Sequence, residues 1–362
     1  MTKSSPSESV ATQTEIQPVP QGWLSYVPSP FVPYLQLMRL DRPNGYWYFW
    51  LPHFYGTLHA ARQQKSSPLD LLRVNLILLW GVLIMRGATC TWNDTVDAPF
   101  DALVTRCKNR PVARGAVSVT QAHMFTAFQT FLSLWTLKFL PPLCLIYAVP
   151  AIVGWIIYPL GKRVTYYPQV ILGFPMAWGI FMGAASMGAD PLSLSNLYSA
   201  LTDGFDLRGI WLALPNFASQ DLSLWAFYGA NALWTLLYEI IYSHQDAKED
   251  IKAGVKNIVL LYADTTDNDI KFGTMPLLYK LGIGQILLLG ASGALGDKSS
   301  AYFVGTVAGA AATTATVLSK VDLHNPESCA WWFKVGCCKS TGGMMAAGLI
   351  ADYIIRILDI SL

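Results

Sequence analysis

Acidic and amide side chains recur at a regular spacing directly after a long apolar run. Asn93, Asp97 and Asp101 are spaced four residues apart in CTWNDTVDAPFD, which follows LILLWGVLIMRGAT. Residues four apart lie above one another on a helix, so the three could share one face, although Pro99 can distort or end that helix. Carboxylates this close repel each other unless a cation lies among them. Oxygen ligands that leave positions for water or phosphate suit Mg²⁺, so this stripe predicts a magnesium site.

A second acidic segment repeats the spacing of the first. Asp246 and Asp250 lie four residues apart in YSHQDAKEDIKAGVKN, which also follows an apolar run. The repetition predicts two related halves that share one site, as in other repeat-built membrane folds. Two such patches facing each other would hold metal ions with a polyphosphate between them.

Cationic and phenolic side chains near the acidic segments could bind the phosphates. Arginine offers a planar fork to phosphate oxygens, and lysine supplies a point charge. The residues predicted to contact a diphosphate are Arg106, Arg110, Tyr158, Lys162 and Lys256. For each cation the alternative is the ordinary excess of positive charge in cytosolic loops.

Two ionisable residues are predicted to lie deeper in the membrane. Arg86 precedes Asn93 by seven residues and Glu239 precedes Asp246 by seven, which is two helical turns or about 10 Å. Charge inside a membrane usually marks a functional group or a buried pair. We expect Arg86 to bind an acceptor substrate, or to pair with Glu239. Glu239 could instead accept a hydrogen bond from a phenol or take its proton.

The elements that must position these residues are predicted to be membrane helices. Hydrophobic residues make up 53% of the 362 residues and charged residues 13%, about half of the ~25% typical of soluble domains. A span needs about 20 apolar residues. Nine candidate spans follow, at residues 44–62, 70–92, 118–138, 140–160, 168–188, 222–244, 276–295, 300–319 and 340–360.

The distribution of positive charge predicts the orientation of these spans. Loops after the even-numbered spans share a side with the N-terminus and carry most of the Lys and Arg residues, together with both acidic segments. Cationic residues concentrate in cytosolic loops, so this side is predicted to be cytosolic. We expect a multi-pass protein of the endoplasmic reticulum or a related endomembrane, in contact with the lipid bilayer. Neither nucleic acid nor an obligate protein partner is expected.

The chain is predicted to consist of a tail and one membrane domain. The first residues are polar and rich in Pro and Ser, so residues 1–34 are predicted to be a disordered tail and residues 35–362 the transmembrane domain. Glu8 and Glu15 argue against a mitochondrial transit peptide, which is poor in acidic residues.

Together these segments resemble the UbiA superfamily of intramembrane prenyltransferases. The matching pieces are RLDRPNGYW, MRGATCTWNDTVDAPFDALVTRCKNRPVARGAVS, YPLGKRVTYYPQVILG and YSHQDAKEDIKAGVKN, in the order and spacing of that family. The resemblance covers about residues 35 to 360 and implies an all-α fold of about nine transmembrane helices around a central cavity. NDTVDAPFDALV and ESCAWWFK further resemble fungal members that prenylate polyketide-derived phenolic acids in meroterpenoid pathways.

The resemblance implies Mg²⁺-dependent transfer of a prenyl group from its diphosphate to an aromatic acceptor. It assigns the paired aspartates and Asn93 to the metal and diphosphate, and Arg86 to the acceptor. A 15-carbon farnesyl chain is the expected donor group. Three alternatives stay open. They are a terpene cyclase on the same fold, a 4-hydroxybenzoate polyprenyltransferase of quinone biosynthesis, and a carrier for an anionic lipid that needs no Mg²⁺ and releases no pyrophosphate.

Overall fold

Long helices occupy most of the residues that the computed structural model describes, namely 22–202, 219–264 and 271–359. The predicted all-α membrane fold class is confirmed. The long helices are α2 (Asn44–Gln64), α3 (Pro68–Asp101), α4 (Val119–Thr136), α5 (Cys144–Val164), α6 (Pro168–Ser186), α8 (Leu222–Ser243), α11 (Met275–Leu295), α12 (Ser300–Lys320) and α13 (residues 326–357).

Short elements connect the long helices. They are a 3₁₀ turn at Gly22–Tyr26, α1 (Val32–Leu37), a 3₁₀ turn at Leu137–Phe139, α7 (Ser195–Thr202), α9 (Ala247–Ala253), α10 (Ile258–Leu261), β1 (Ala263–Asp264) and β2 (Lys271–Phe272). The two short strands pair antiparallel, with Ala263 opposite Phe272. Helical structure thus begins before residue 34, where the tail was predicted to end, while residues 1–21 of that tail lie outside the described residues.

Each predicted span overlaps one of the long helices. Within the described parts of the chain, five helices are long and apolar enough to cross a membrane by length and composition, namely α3, α5, α6, α11 and α12. The total of nine crossing helices therefore remains a prediction.

Helices α2 and α6 pack backbone against backbone in the centre of the bundle. A Cβ atom built on Gly56 of α2 would lie 1.9 Å from the carbonyl oxygen of Ile180. One built on Gly183 of α6 would lie 2.0 Å from the carbonyl oxygen of His53. Only glycine allows such an approach, and small residues at helix contacts serve the same purpose in other membrane bundles. This contact fixes α2 against α6, which is buried along most of its length.

Helix α3 carries the first acidic segment on its last turns. Its 34 residues correspond to about 50 Å at a 1.5 Å rise, more than the ~30 Å hydrocarbon core of a bilayer. Ser67 caps its first turn by accepting a hydrogen bond of 3.2 Å from the Asp70 backbone N–H. Pro99 is exposed and does not end the helix, which continues to Asp101.

Helix α13 contains a π-helical stretch at Trp332–Gly342 that is braced by α2. The Tyr48 hydroxyl donates to the Phe333 carbonyl at 2.6 Å, and the Tyr55 hydroxyl donates to the Gly342 carbonyl at 2.8 Å. Such wide turns leave carbonyl groups free for other donors and often occur at functional sites. Here they turn Phe333 toward a cavity of the protein.

A buried charged network lies at the end of the bundle remote from the acidic segments. The Lys298 ammonium donates to Nδ1 of His59 at 3.0 Å and lies 4.0 Å from Asp352. His59 Nε2 lies 2.8 Å from Asp221, which caps the first turn of α8, and Asp352 pairs with Arg62 at 2.7 Å. These contacts join the end of α2, the start of α8, the turn before α12 and the last two turns of α13.

A small hydrophobic cluster lies apart from the main core. Leu37 of α1 packs with Val112, Val117 and Ala122, from the segment 102–118 and the start of α4. The cluster attaches the N-terminal helix to the segment that follows the first acidic motif.

Candidate active site

A cavity of about 600 Å³ at the end of the bundle brings together every residue predicted to act on substrate. Those lining it are Arg86, Asn93, Asp97, Asp101, Arg106, Arg110, Tyr158, Lys162, Glu239, Asp246, Asp250 and Lys256. The individual role of each residue remains a prediction.

The carboxylates of the first acidic segment each contact a cation. Lys162 of α5 donates to Asp97 at 2.6 Å. Arg110 donates to both oxygens of Asp101, at 2.8 and 3.0 Å. Both carboxylates are buried, so the cations offset the cost of removing their charge from water.

The second acidic segment lies at a helix break, unlike the first. Helix α8 ends at Ser243, and Asp246 precedes the short helix α9, which contains Asp250. Arg106 donates through Nε to both oxygens of Asp246, at 2.7 and 2.9 Å. Asp250 accepts a hydrogen bond of 2.9 Å from Asn257.

These contacts set the protonation of groups on the loops. Burial opposes the charge of Arg106, but Tyr242 and Asp246 outweigh it and hold the pKa of the guanidinium above its ordinary value. Burial, with the neighbouring Asp246 carboxylate, raises the pKa of Asp250 to about 7. A cation beside Asp250 would favour its charged form.

The segment 102–118, called here the arginine loop, carries Arg106 and Arg110 between the two acidic segments. The Thr105 backbone N–H donates to the Glu249 carboxylate at 2.7 Å, which ties the loop to α9. Arg106 also donates to the Tyr242 hydroxyl at 2.7 Å. The loop therefore links α3 to the second acidic segment.

Asp94 is a site residue that the sequence analysis missed. It is fully buried, and its Oδ1 accepts from Arg39 at 2.6 Å and lies 3.1 Å from Arg110. The only signal was its place between Asn93 and Asp97. Arg39 has a φ of 56°, in the left-handed region that non-glycine residues seldom occupy. Asp94 thus connects the N-terminal segment to the arginine loop.

The oxygen atoms of this cavity fit Mg²⁺, but only with ligands from a bound phosphate. Asn93 Oδ1 is buried without a hydrogen-bond partner in the described part of the chain, and the carboxylates of Asp97, Asp101, Asp246 and Asp250 line the same cavity. Hard cations take such carboxylate and amide oxygens. No group of three or more His, Cys, Asp and Glu residues among the described ones is close enough to hold a metal. Phosphate and water oxygens would have to complete the coordination.

Arg86 and Glu239 line the cavity but do not pair with each other. Arg86 donates to the carbonyl of Arg39 at 3.0 Å and to that of Arg42 at 2.8 Å, which holds the turn before α2. Glu239 is an intermediate-exposure residue whose carboxylate makes no hydrogen bond to the described part of the chain. Contact of either residue with an acceptor remains a prediction.

The two remaining predicted residues lie beside Lys162. The Lys162 ammonium is 5.2 Å from the centre of the Tyr158 ring. The Lys256 backbone N–H donates to the Lys162 carbonyl at 3.2 Å, and its ammonium lies 5.6 Å from the Tyr166 ring centre. Lys256 therefore brings the segment after α9 to the end of α5.

Comparison with known proteins identifies relatives along most of the chain. The sequence pattern of the UbiA prenyltransferase family matches residues 49–338. A mitochondrial 4-hydroxybenzoate polyprenyltransferase of Schizosaccharomyces pombe is 31% identical over 97% of this chain and 88% of its own length. The prenyltransferase ascA of Acremonium egyptiacum is 32% identical over 79% of this chain and 80% of its own length.

A solved structure shares the fold. A UbiA homolog from Archaeoglobus fulgidus bound to GPP and Mg²⁺ superposes with a TM-score of 0.60 at 17% identity, covering 90% of this chain and 99% of the other. At that identity the likeness shows a common fold and no more.

Proposed function

The chain belongs to the UbiA prenyltransferase family, and we propose that it transfers farnesyl from its diphosphate to an aromatic carbon of a phenolic, polyketide-derived acid. It is an integral membrane prenyltransferase. The observation that carries the proposal is one cavity in which Arg106, Arg110 and Lys162 lie among the carboxylates of two acidic segments. Carboxylates can bind divalent metal ions and the neighbouring cations can contact phosphate oxygens, so this mixture of charges suits a diphosphate held through metal ions.

The diphosphate lies between the two acidic segments in this proposal. Mg²⁺ bound by Asp97, Asp101, Asp246 and Asp250, with Asn93, neutralises the charge that builds on the departing diphosphate. Arg106, Arg110 and Lys162 contact its oxygens directly, with Tyr158 and Lys256 beside them. A solved relative with the same fold is bound to GPP and Mg²⁺, which supports a metal-dependent site for a prenyl diphosphate.

The reaction then takes place in the aromatic part of the cavity. The allylic C–O bond breaks, and the diphosphate leaves with the electron pair. The aromatic walls formed by Tyr48, Phe49, Trp155 and Phe333 exclude water and present ring faces to the allylic cation. A carbon of the acceptor ring attacks, and loss of its proton restores aromaticity.

Glu239 is the residue proposed to contact the acceptor. Its carboxylate lines the cavity and makes no hydrogen bond to the described part of the chain, so it can accept one from a phenol or take a proton. Arg86 shapes the same wall through the carbonyls of Arg39 and Arg42. Its remaining surface would contact a polar group of the acceptor.

Two other reactions on this fold are kept as competing proposals. Transfer to 4-hydroxybenzoate is supported by the Schizosaccharomyces pombe relative, which matches 97% of this chain. A terpene cyclase would use the same aspartates without any acceptor. For the proposed meroterpenoid enzyme, we place the protein in an endomembrane with the acidic segments facing the cytosol.

The proposal is tested by product analysis with membranes that contain the full chain. Geranyl, farnesyl and geranylgeranyl diphosphate are supplied with a panel of phenolic acids that includes 4-hydroxybenzoate, with Mg²⁺ or with EDTA. We expect pyrophosphate release and an acceptor mass increased by a farnesyl group, both abolished by EDTA and by Asp97→Ala.

The other outcomes separate the alternatives. Prenylation of 4-hydroxybenzoate alone would favour the quinone-type reaction. Pyrophosphate release with a hydrocarbon or terpenol product and no acceptor requirement would identify a cyclase. No turnover of any prenyl diphosphate would contradict the whole proposal.

A further inference from the structure

A second cavity lies next to the site cavity, farther along α3 from the acidic segments. It has a volume of about 350 Å³ and a mainly apolar lining from α2, α3, α4, α5 and α6. Four residues line both cavities, namely Phe49, Thr89, Trp155 and Met176. They come from α2, α3, α5 and α6 respectively, so they form a ring where the two cavities meet.

Stacked aromatic rings form one side of this ring of four. The rings of Phe49 and Trp155 are parallel within 13°, with their centres 4.8 Å apart. Offset stacking of this kind stabilises the pair beyond its buried area. Trp155 is buried, and Phe49 lies next to the core. The passage between the cavities therefore has a fixed wall.

The position of the ring along α5 can be compared with the length of an isoprenoid chain. Lys162, at the acidic segments, follows Trp155 by seven residues, about 10 Å along a helix. An extended isoprene unit has four chain bonds of about 1.5 Å and spans about 5 Å. About two units therefore fit between the diphosphate position and the ring.

The second cavity can hold the units beyond the ring. Thr89 at the ring and Leu78 at the far end of the cavity are eleven residues apart on α3, about 16 Å. Tyr147 lines the same cavity, and its hydroxyl donates to Asp190 at 2.8 Å and accepts from the Leu192 N–H at 2.9 Å. These bonds hold Tyr147 in place on the cavity wall, and the distance of about 16 Å along α3 corresponds to about three isoprene units.

From this geometry we propose that Phe49 and Trp155 determine the prenyl chain length that the enzyme accepts. The first two isoprene units lie before the ring of four, and the third and later units pass it into the second cavity. This inference rests on the proposed function. Geranyl groups then need only the site cavity, whereas farnesyl and geranylgeranyl groups need both.

Filling the second cavity tests the inference without altering the site cavity. Ala151 lines only the second cavity, and Val153 on the same helix is exposed on the outside of the bundle. We expect Ala151→Phe to lower kcat/KM for farnesyl and geranylgeranyl diphosphate at least tenfold and to leave geranyl diphosphate within about twofold. Val153→Phe, the matched control, leaves all three values unchanged.

Opening the ring gives a second, opposite test. Phe49→Ala removes the stack, and we expect it to raise kcat/KM for geranylgeranyl diphosphate relative to geranyl diphosphate. The inference would be overturned if Ala151→Phe lowered kcat/KM equally for all three prenyl diphosphates, or if neither variant changed the ratio of kcat/KM between long and short chains. In either case, turnover by the wild type would still support the proposed function. If the wild type consumed no prenyl diphosphate, the proposed function would fail, and this inference with it.

Discussion

The ammonium of Lys162 on α5 lies 2.6 Å from Oδ2 of Asp97 on α3. Arg110 and Asp101, and Arg106 and Asp246, form corresponding pairs. Cations of the protein thus contact the carboxylates that we assign to Mg²⁺. Binding of a magnesium diphosphate would separate these ion pairs. Each Lys or Arg side chain would then contact a phosphate oxygen, and each carboxylate would contact a metal ion.

Removal of the Lys162 charge should separate metal binding from catalysis. In Lys162→Met, Asp97 loses its competing cation, so the apparent affinity for Mg²⁺ without diphosphate should rise. The kcat/KM for prenyl diphosphate should fall on the order of 10²-fold, since one contact to the leaving group is lost. Calorimetric titration with Mg²⁺ and steady-state kinetics measure the two effects. Lys248 is exposed, so Lys248→Met serves as the control. Weaker Mg²⁺ binding in Lys162→Met would contradict the proposed exchange of ion-pair partners.

Asp94 should act by positioning arginines and not by binding metal. Asp94→Asn leaves Arg39 without its carboxylate, and breaking a buried ion pair costs about 3 kcal/mol or more. We expect a lower unfolding temperature in detergent and reduced activity at every Mg²⁺ concentration. Asp97→Asn should instead raise the Mg²⁺ concentration needed for half-maximal rate. If excess Mg²⁺ restored the activity of Asp94→Asn, the result would show that Asp94 is a metal ligand and would contradict this prediction.

The bond from Thr105 to Glu249 should set the affinity for the diphosphate through the arginine loop. Glu249→Ala removes the acceptor of a charge-assisted hydrogen bond, and we expect KM for prenyl diphosphate to rise about tenfold. Glu249→Gln keeps an oxygen at that position and should show a smaller rise. Equal effects of the two variants would show that the charge matters, and not the hydrogen bond.

Lys298 should give the stability a characteristic pH dependence. Burial lowers the pKa of Lys298 from 10.5 to about 8, although Asp352 acts in the opposite direction. Between about pH 8 and 10.5 the unfolded chain binds a proton that the folded chain does not, so this residue's contribution to stability rises with pH. The slope is on the order of 1 kcal/mol per pH unit. The measurement is the difference in unfolding free energy between the wild type and Lys298→Met across this pH range. A difference that does not change with pH would contradict the prediction.

The sequence predicted which residues line the site cavity better than it predicted the contacts among them. Residues such as Asn93, Asp97 and Asp101 are readable because local helix geometry relates them, and apolar length predicts the helices that carry them. The contact of Asp94 with Arg39 joins residues 55 positions apart and depends on a left-handed backbone conformation. No spacing in the sequence encodes such a contact.

The second cavity and the ring of four residues could not be predicted from the sequence either. Phe49, Thr89, Trp155 and Met176 meet only because four helices pack at particular angles and depths. Arg86 shows the same limit. Its place two helical turns before Asn93 can be read from the sequence, but its bonds to the carbonyls of Arg39 and Arg42 depend on the path of the turn before α2.

Because the cluster of Leu37, Val112, Val117 and Ala122 is separate from the main core, we expect two levels of cooperativity in unfolding. Apart from polar contacts such as Arg106 to Asp246 and Arg110 to Asp101, only a few apolar side chains hold α1 and the arginine loop, so we expect this unit to open at a lower free energy than the bundle. Amide hydrogens of the unit would then exchange with solvent while those of α6 stay protected. A bound diphosphate that contacted Arg106, Arg110 and Lys162 together would add a link between the arginine loop and α5, and would slow exchange in this unit first.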